Sequence, residues 1–320
     1  MSSLDQFASV FNAAAKPAYQ HADIKINKVL VITDLEEAQA KLYQQSIRNF
    51  LSVIDREADA DWHTVPGKGF TTVHDLIQLV EKERPDFIAT YRHLHSEAWR
   101  WPYSLGEHLD VLIQATDAPA LVLPHPDRKG IPEHTLEDTT HVMAVTDHLV
   151  GDDRLVHYAV RFTQENETLI LAHVEDEIVF SRYMDSISKI PEIDTDVARG
   201  TIMEQLLREP REYISSCTEV LKKERIKISI ESSVTIGHRL DHFQELLKEH
   251  QVDLMIMNSK DEDQLAMHGK AHPLAVELTS TPLLFYDEQG RTQYNQVAQP
   301  AARHHRFGFA GSDLHRPFRG

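Results

Sequence analysis

The stretch KVLVIT, residues 28–33, is a short and continuously apolar run that is rich in β-branched side chains. Such a run is typical of a strand that is buried on both faces of a parallel sheet. Apolar residues then recur at helical spacing from Ala38 to Ile54, with polar and charged residues between them. Apolar runs and amphipathic stretches alternate in this way through both halves of the chain. The pattern predicts an α/β fold in which each half forms an open parallel sheet.

The two halves share an internal register. The strands predicted near residues 28–33 and 142–146 both end in Thr-Asp, at Thr33-Asp34 and Thr146-Asp147. A glycine and a proline later lie 13 positions apart in each half, at Gly106 and Pro119 and at Gly269 and Pro282. The second half has a long insertion between these landmarks, so we interpret the first half as a shortened copy. We also expect the last strands, 120–123 and 283–286, to pair edge to edge.

The length of 320 residues corresponds to about two domains at roughly 150 residues each. We predict boundaries from composition, since prolines, glycines and mixed charges are typical of linkers. The predicted segments are an N-terminal arm at 1–26, a shortened domain at 27–126, a linker at 127–140, a second domain at 141–286 and a tail at 287–320. In the second domain we expect a loop at 186–196, followed by two helices at 197–207 and 213–226.

The charge of the chain limits its partners. Lys and Arg number 33 against 50 Asp and Glu, which gives a formal net charge of -17. Such a charge repels nucleic acids and anionic lipid surfaces, so we expect neither as a partner. No apolar run reaches the length of a membrane span, and residues 1–15 do not form a signal peptide, which predicts a cytoplasmic protein. The one cysteine, Cys217, is expected to be an inert thiol.

Three motifs of the second half resemble those of the universal stress protein family. They are the strand ending HVED at 173–176, the stretch VDLMIMNSK at 252–260, and a helix that begins near Gly269 and is followed by TPLL at 281–284. The resemblance covers about residues 27–124 and 141–286, as a tandem pair. It implies five-stranded, adenine-nucleotide-hydrolase-like parallel sheets, with ATP held at the carboxyl ends of the first and fourth strands in the binding members. Ligands of open α/β sheets generally bind at this topological switch point.

The resemblance also implies a set of binding residues in the second half. Asp147, Val174 and Met257 match positions that line the nucleoside. Asn258, Asp261, Gly269 and Lys270 match positions of a glycine-rich phosphate loop, in which one glycine remains, and Lys260 matches the basic position that is usual in the family. Asp261 adds a negative charge to this loop, so the resemblance implies weak or lost nucleotide binding, and we predict no bound cofactor.

The first half departs further from the binding pattern. Its matching loop positions are Tyr91, Leu94, Gly106 and Glu107, and large side chains replace glycines that would let phosphate approach backbone N–H groups. We therefore predict no nucleotide there. The more ordinary role for Asp34 and Asp147 is to cap the helices that follow them.

Histidine is unusually frequent, at 20 residues. His268 and His272 are four positions apart, and His93, His95 and His108 are expected near the first switch point. Neither set forms a motif as specific as HExxH, so we predict no metal site. Neither half contains GxSxG or a P-loop, and we predict a binding protein and no catalytic residues.

Three function classes remain open from the sequence. The first is a regulatory, stress-response binding protein with a degenerate nucleotide site, and the resemblance favours this class. The second is an ATP-binding and slowly ATP-hydrolysing protein that uses the second half. The third is a structural interaction module with an Arg-rich and His-rich tail. We expect a homodimer and an unidentified protein partner in the first class.

Overall fold

The computed structural model describes residues 18–56, 58–96, 104–126, 136–146, 152–237, 239–260 and 271–287. These residues form a single nine-stranded sheet. The strands are β1 Lys28–Ile32, β2 Asp61–Val65, β3 Phe87–Tyr91, β4 Ala120–Leu123, β5 His141–Thr146, β6 Thr168–Asp176, β7 Ser229–Gly237, β8 Leu254–Lys260 and β9 Leu283–Asp287. The sequence motifs at 147, 261–270 and 288–320 lie outside the described residues.

Eight α-helices connect these strands within the described part of the chain. They are α1 Glu37–Phe50, α2 Val73–Glu83, α3 Glu107–Ala115, α4 Asp153–Phe162, α5 Glu177–Ile187, α6 Thr195–Lys223, α7 Arg239–Glu249 and α8 Ala271–Glu277. Short 3₁₀ turns follow α1 at Ser52–Asp55 and β2 at Gly67–Gly69. None of the described helices is both long enough and apolar enough to cross a membrane.

The strand order is β2-β1-β3-β4-β9-β8-β5-β6-β7. Strands within each half pair in parallel, whereas β4 and β9 pair antiparallel and join the two halves. Leu121 is opposite Leu284, and Ala120 is opposite Phe285. The predicted edge-to-edge pairing of the last strands is therefore confirmed, and so is the predicted α/β fold of parallel strands.

The register of the strands repeats between the halves. β1 pairs with β3 through Val29 and Phe87, and β5 pairs with β8 through Val142 and Leu254. An aspartate directly precedes the later strand in both cases. Asp86 accepts a hydrogen bond from the Lys28 backbone N–H at 3.0 Å, and Asp253 accepts one from that of His141 at 2.8 Å. An equivalent aspartate carboxylate therefore binds the backbone at the start of the first strand in each half.

The second half is longer because α5, α6, β7 and α7 lie between β6 and β8. The prediction for this insertion was partly wrong. α5 extends to Ile187, so the loop is shorter than 186–196, and α6 is one helix of 29 residues that continues through Pro210. Proline removes one backbone hydrogen bond from a helix interior. Buried Tyr213, Ile214 and Cys217 lie in the following turns, and their burial favours helix on both sides of Pro210.

The described part of the N-terminal arm, from residue 18, lies on the second half. Tyr19 is buried, and its backbone N–H donates to Ser216 Oγ at 3.3 Å. The His157 side chain contacts the Gln20 carbonyl oxygen at 2.6 Å. The arm therefore covers α4 and α6.

Arginine side chains also connect the halves, as Arg161 and Arg92 illustrate. Arg161 of α4 donates to the carbonyl oxygen of Ile54 at 2.9 Å. Arg92 follows β3, is 1% exposed, and donates from Nη2 to the Leu278 carbonyl oxygen at 2.8 Å, just beyond α8. Because the desolvation of a guanidinium is costly unless it is hydrogen-bonded, this contact stabilises one relative placement of β3 and α8.

Candidate functional site

The strand order places one topological switch point in each half. The chain leaves β1 toward β2 and later returns to the other side of β1 as β3, and β5, β6 and β8 repeat this arrangement. Crossovers that leave in opposite directions open a crevice at the carboxyl ends of the two central strands. The candidate sites are therefore the ends of β1 and β3 and the ends of β5 and β8.

In the first half, the carboxylate of Asp34 lies just after β1, at the crevice between the ends of β1 and β3. The Tyr91 hydroxyl donates to Oδ1 of Asp34, and the His95 backbone N–H donates to Oδ2 at 2.9 Å. The Asp34 backbone N–H in turn donates to the Tyr91 hydroxyl oxygen at 3.1 Å. A backbone N–H of the β3–α3 loop, which could have met a phosphate oxygen, is thus satisfied by the chain itself.

The expectation that Asp34 caps the following helix was wrong. The residue at the N-cap position of α1 is Glu36, and it makes no side-chain capping hydrogen bond within the described structure. Asp34 has two partners from another strand and its loop, more than 50 positions away in the sequence. Local sequence favours a cap after a strand, whereas the tertiary contact determines the outcome.

Tyr91 fills the rest of the first crevice. Its side chain is fully buried, and its ring contacts the rings of Tyr43 and His125 edge-on, with centroids 5.2 and 5.3 Å away. Burial raises the pKa of Tyr91, and the hydrogen bond to Asp34 raises it further, so the hydroxyl remains a donor. Leu94 is fully buried as well. A phosphate group would have to displace these side chains.

Two glycines of the first half are required by close backbone packing. A Cβ on Gly67 would lie 2.4 Å from the carbonyl oxygen of Asp34. Gly106, which precedes α3, has φ +94°, and a Cβ there would lie 3.1 Å from the Cα of His93. Glu107 follows as an exposed carboxylate at the start of α3, which further disfavours an anion. Gly106 therefore serves local packing in this half.

In the second half, the structure describes four of the seven predicted binding residues. Val174 is fully buried in β6, and Met257 is buried in β8 beside Val145 of β5. Asn258 is partly buried and pairs with Tyr286 of β9, and Lys260 ends β8. Val174 and Met257 thus lie on strands that flank β5 on either side. Asp147, Gly269 and Lys270 lie outside the described residues.

The structure adds polar residues beside this second crevice that the sequence analysis did not identify. Asp152 is buried, caps α4 by accepting from the Leu155 N–H at 2.9 Å, and accepts from the Tyr286 hydroxyl at 2.5 Å. The guanidinium of Arg154 lies 5.7 Å from the ring centroids of Tyr158 and Tyr286. A partly exposed cation therefore lies in the first turn of α4, where the helix dipole also favours anions.

The sequence contained no specific signal for this group. In the sequence, Asp152 and Arg154 resemble the ordinary first turn of an amphipathic helix. The partner Tyr286 is 134 positions from Asp152. Only the strand order brings these residues to one edge of the sheet.

Other candidate chemistry is limited in the described ranges. They contain no group of three or more His, Cys, Asp or Glu side chains that could hold a metal ion. His272 lies 3.9 Å from Asp110, and His268 is outside the described residues. Cys217 is buried; burial, and to a lesser extent the charge of Asp153, raises the pKa of its thiol to about 12, in keeping with an inert thiol.

Two open cavities have linings that include neither Asp34 nor Tyr91. One, of about 410 Å³, lies between the turn after β2 and α2 and is lined by Lys68, Phe70 and Leu79 among others. The other, of about 440 Å³, lies where α6 ends and β7 begins, and Leu221, Lys222 and Ile230 contribute to its lining. Val174, Met257 and Asn258, the predicted binding residues whose side chains the structure describes, line neither of them.

Comparison with known proteins found no matching family model and no matching curated protein. The fold is similar to solved structures of a universal stress protein from Archaeoglobus fulgidus DSM 4304 and a putative one from Pseudomonas aeruginosa UCBPP-PA14. The first is 12% identical, covers 82% of this chain and 97% of that chain, and has a TM-score of 0.44. The second is 10% identical, covers 90% and 89%, and has a TM-score of 0.42. The description of the fold therefore rests on the strand order and register of this chain.

Proposed function

We propose that this chain is a regulatory, stress-response binding protein of the universal stress protein type, in which nucleotide binding is weak or lost. The observation that carries the proposal is the closed first switch point. There the carboxylate of Asp34 accepts hydrogen bonds from the Tyr91 hydroxyl and from the His95 backbone N–H. A triphosphate brings about three to four negative charges and needs free backbone donors at this place. A binding protein that signals through its surface and its assembly needs no such free crevice.

The alternative is an ATP-binding protein, possessing slow hydrolysis, that uses the second half. Its support is the partly exposed Arg154 in the first turn of α4, beside the crevice that Val174 and Met257 flank. A guanidinium is a good partner for phosphate oxygens and would offset the missing glycines. The nucleotide-contact roles of Asp147, Asn258, Lys260, Gly269 and Lys270 belong to this alternative.

Calorimetric titration of the full chain with ATP and AMP separates the two. We expect the unmodified protein to bind ATP weakly or not at all. The double variant Asn258→Gly with Asp261→Gly should gain at least about tenfold in ATP affinity, which corresponds to about 1.4 kcal/mol. Adding Asp147→Ala should lower that affinity again.

Asn166→Gly is the matched control for added glycine. Asn166 already has a φ of 68°, which glycine accepts, and it precedes β6 at the opposite end of that strand. Its ATP titration should equal that of the unmodified protein. Stoichiometric ATP in the purified, unmodified protein would instead establish the alternative.

The proposal includes tandem domains at 27–126 and 141–286, a cytoplasmic location and a homodimer with a protein partner. Sedimentation equilibrium of the full chain tests the dimer. Removal of residues 287–320 tests the interaction-module class, since only that class predicts that partner binding is lost with the tail while the body remains folded.

A further inference from the structure

Two histidines lie close together beside the first crevice. His95 is in the loop after β3, and His108 is in the first turn of α3. Their ring centroids are 5.7 Å apart. Phe70 contacts both, with centroids 4.8 Å from His95 and 5.7 Å from His108. We call His95 and His108 the histidine pair.

His108 is poorly explained as a core residue. It is 8% exposed, and neither ring nitrogen has a hydrogen-bond partner among the described residues. Buried polar groups in native proteins are nearly always hydrogen-bonded, because an unmet donor or acceptor loses its hydration without compensation. An apolar side chain would fill the same place without that loss. The ring nitrogens of His108 therefore indicate a ligand.

The loop that carries His95 is held in a costly conformation. His93 and His95 both have positive φ, at 67° and 49°. Such values are unfavourable for residues other than glycine and concentrate at functional sites. The surrounding contacts impose this conformation, because Asp34 accepts from the His95 N–H and the His93 N–H donates to the Leu105 carbonyl at 2.9 Å. In this loop conformation the centroid of the His95 ring lies 5.7 Å from that of His108.

From these observations we infer that the histidine pair binds a borderline divalent metal ion such as Zn²⁺. Zinc binds imidazole nitrogen at about 2.0–2.1 Å, which places two rings on one tetrahedral ion at a centroid separation of about 5 Å. The observed 5.7 Å requires only a small movement, and His95 is exposed enough to make it. Because the described ranges contain no third His, Cys, Asp or Glu for this ion, water completes its coordination. The net charge of -17 favours the approach of a cation.

This proposal differs from the prediction of no metal that followed from the sequence. His93, His95 and His108 looked like scattered histidines because the spacing does not match a motif. The pairing depends on the turn of the β3–α3 loop and on its contact with Asp34. The site is independent of nucleotide binding, since the proposal for the second half concerns the other switch point.

Titration of the metal-stripped full chain with zinc chloride tests the inference. The unmodified protein should bind one equivalent more tightly than its surface histidines do. His95→Ala removes an exposed side chain. It should lower the affinity for the tightly bound zinc ion by at least about tenfold, as expected for loss of a ligand. His74→Ala is the matched control, because His74 is an exposed histidine on α2, and it should leave the titration unchanged.

Electron paramagnetic resonance with Cu²⁺ gives a second measurement that depends on the ligands themselves. Nitrogen coupling from two imidazoles is expected in the unmodified protein and from one in His95→Ala. His108→Phe should give the same loss, with far-ultraviolet circular dichroism to check its fold. If His108→Phe does not fold, His95→Ala decides alone. Unchanged zinc affinity in His95→Ala, or an equal loss in His74→Ala, would overturn the site.

Discussion

The two switch points of this chain have the same strand geometry and different contents. Tyr91 of β3 pairs with Leu123 of β4, and Asn258 of β8 holds the corresponding place opposite Tyr286 of β9. The first position carries a buried aromatic ring that is bonded to Asp34, whereas the second carries a partly buried amide. The two halves therefore share the same strand register, although the side chains at their crevices differ. A shared fold alone does not predict a shared ligand.

The strongest test of this difference is to remove the side chain at each of the two positions. Tyr91→Ala should lower the free energy of unfolding by about 3–5 kcal/mol, because it deletes a fully buried ring. Asn258→Ala should cost about 1 kcal/mol, as for one modest hydrogen-bonding group. Urea unfolding of both variants measures the difference. Equal losses would show that the second crevice is packed as tightly as the first.

A smaller effect is expected for the carboxylate of the first crevice. Asp34→Ala should cost about 1–3 kcal/mol, because the part-buried Tyr91 hydroxyl and the His95 N–H lose their acceptor. Asp59→Ala is the matched control, since Asp59 is exposed and bonds only to Arg48 in the described structure. It should change the unfolding free energy by less than about 0.5 kcal/mol. If Asp34→Ala matches this control, the network does not hold the crevice closed.

The feature that the two halves share, an aspartate before the later strand, can be tested in the same way. Asp86→Ala and Asp253→Ala each remove a carboxylate that accepts two hydrogen bonds at the start of a central strand. Each should cost about 2 kcal/mol. Thermal unfolding should place the two variants within about 1 kcal/mol of each other. A larger gap would mean that the halves differ at their strand starts as well as at their strand ends.

Much of the fold followed from local patterns. The apolar runs at 28–33 and 120–123 predicted β1 and β4, and the equal glycine-to-proline spacing indicated the repeat. These signals are local, and burial on both faces of a sheet requires them. The prediction failed where distant contacts decide the structure. The path of α6 through Pro210 depends on packing against the sheet, and the role of Asp34 depends on Tyr91.

The candidate site was less accessible to sequence reasoning for the same reason. The contact of Asp152 with Tyr286 joins a helix start to the last described strand. The histidine pair depends on two left-handed residues, and neither is a glycine that would have marked the turn. The sequence analysis expected His95 and His108 near the first switch point, but propensity favours other conformations at His93 and His95, so residue types did not predict a ring separation of 5.7 Å.

The smallest predicted effect concerns α3, where Asp110 corresponds to Pro273 of α8. Burial raises the pKa of the Asp110 carboxyl, which the nearby His272 only partly opposes. The folded state therefore holds the proton more tightly, and ionisation above that pKa reduces stability. Asp110→Asn should stabilise the protein at neutral pH, by less than about 1 kcal/mol because the side chain is one-third exposed.

The pH dependence checks the sign of this effect. The gain from Asp110→Asn should shrink as the pH falls through the raised pKa and vanish below the ordinary value of 3.8. Thermal unfolding between neutral and acid pH measures it. Asp117→Asn, at an exposed carboxylate beyond α3, should leave the stability unchanged throughout. A gain that grows toward acid pH would contradict the assignment.

The antiparallel pairing of β4 with β9 within one chain affects how the molecule responds to dilution and to amino-acid substitution. Two separate copies that met through such strands would come apart as their concentration fell. Within one chain the same contact is intramolecular, and its effective concentration is fixed by the connection. A substitution also appears once in a fused pair, whereas it would appear twice in a symmetric one. One half can therefore keep an open crevice while the other half fills it, and the shared sheet is not lost.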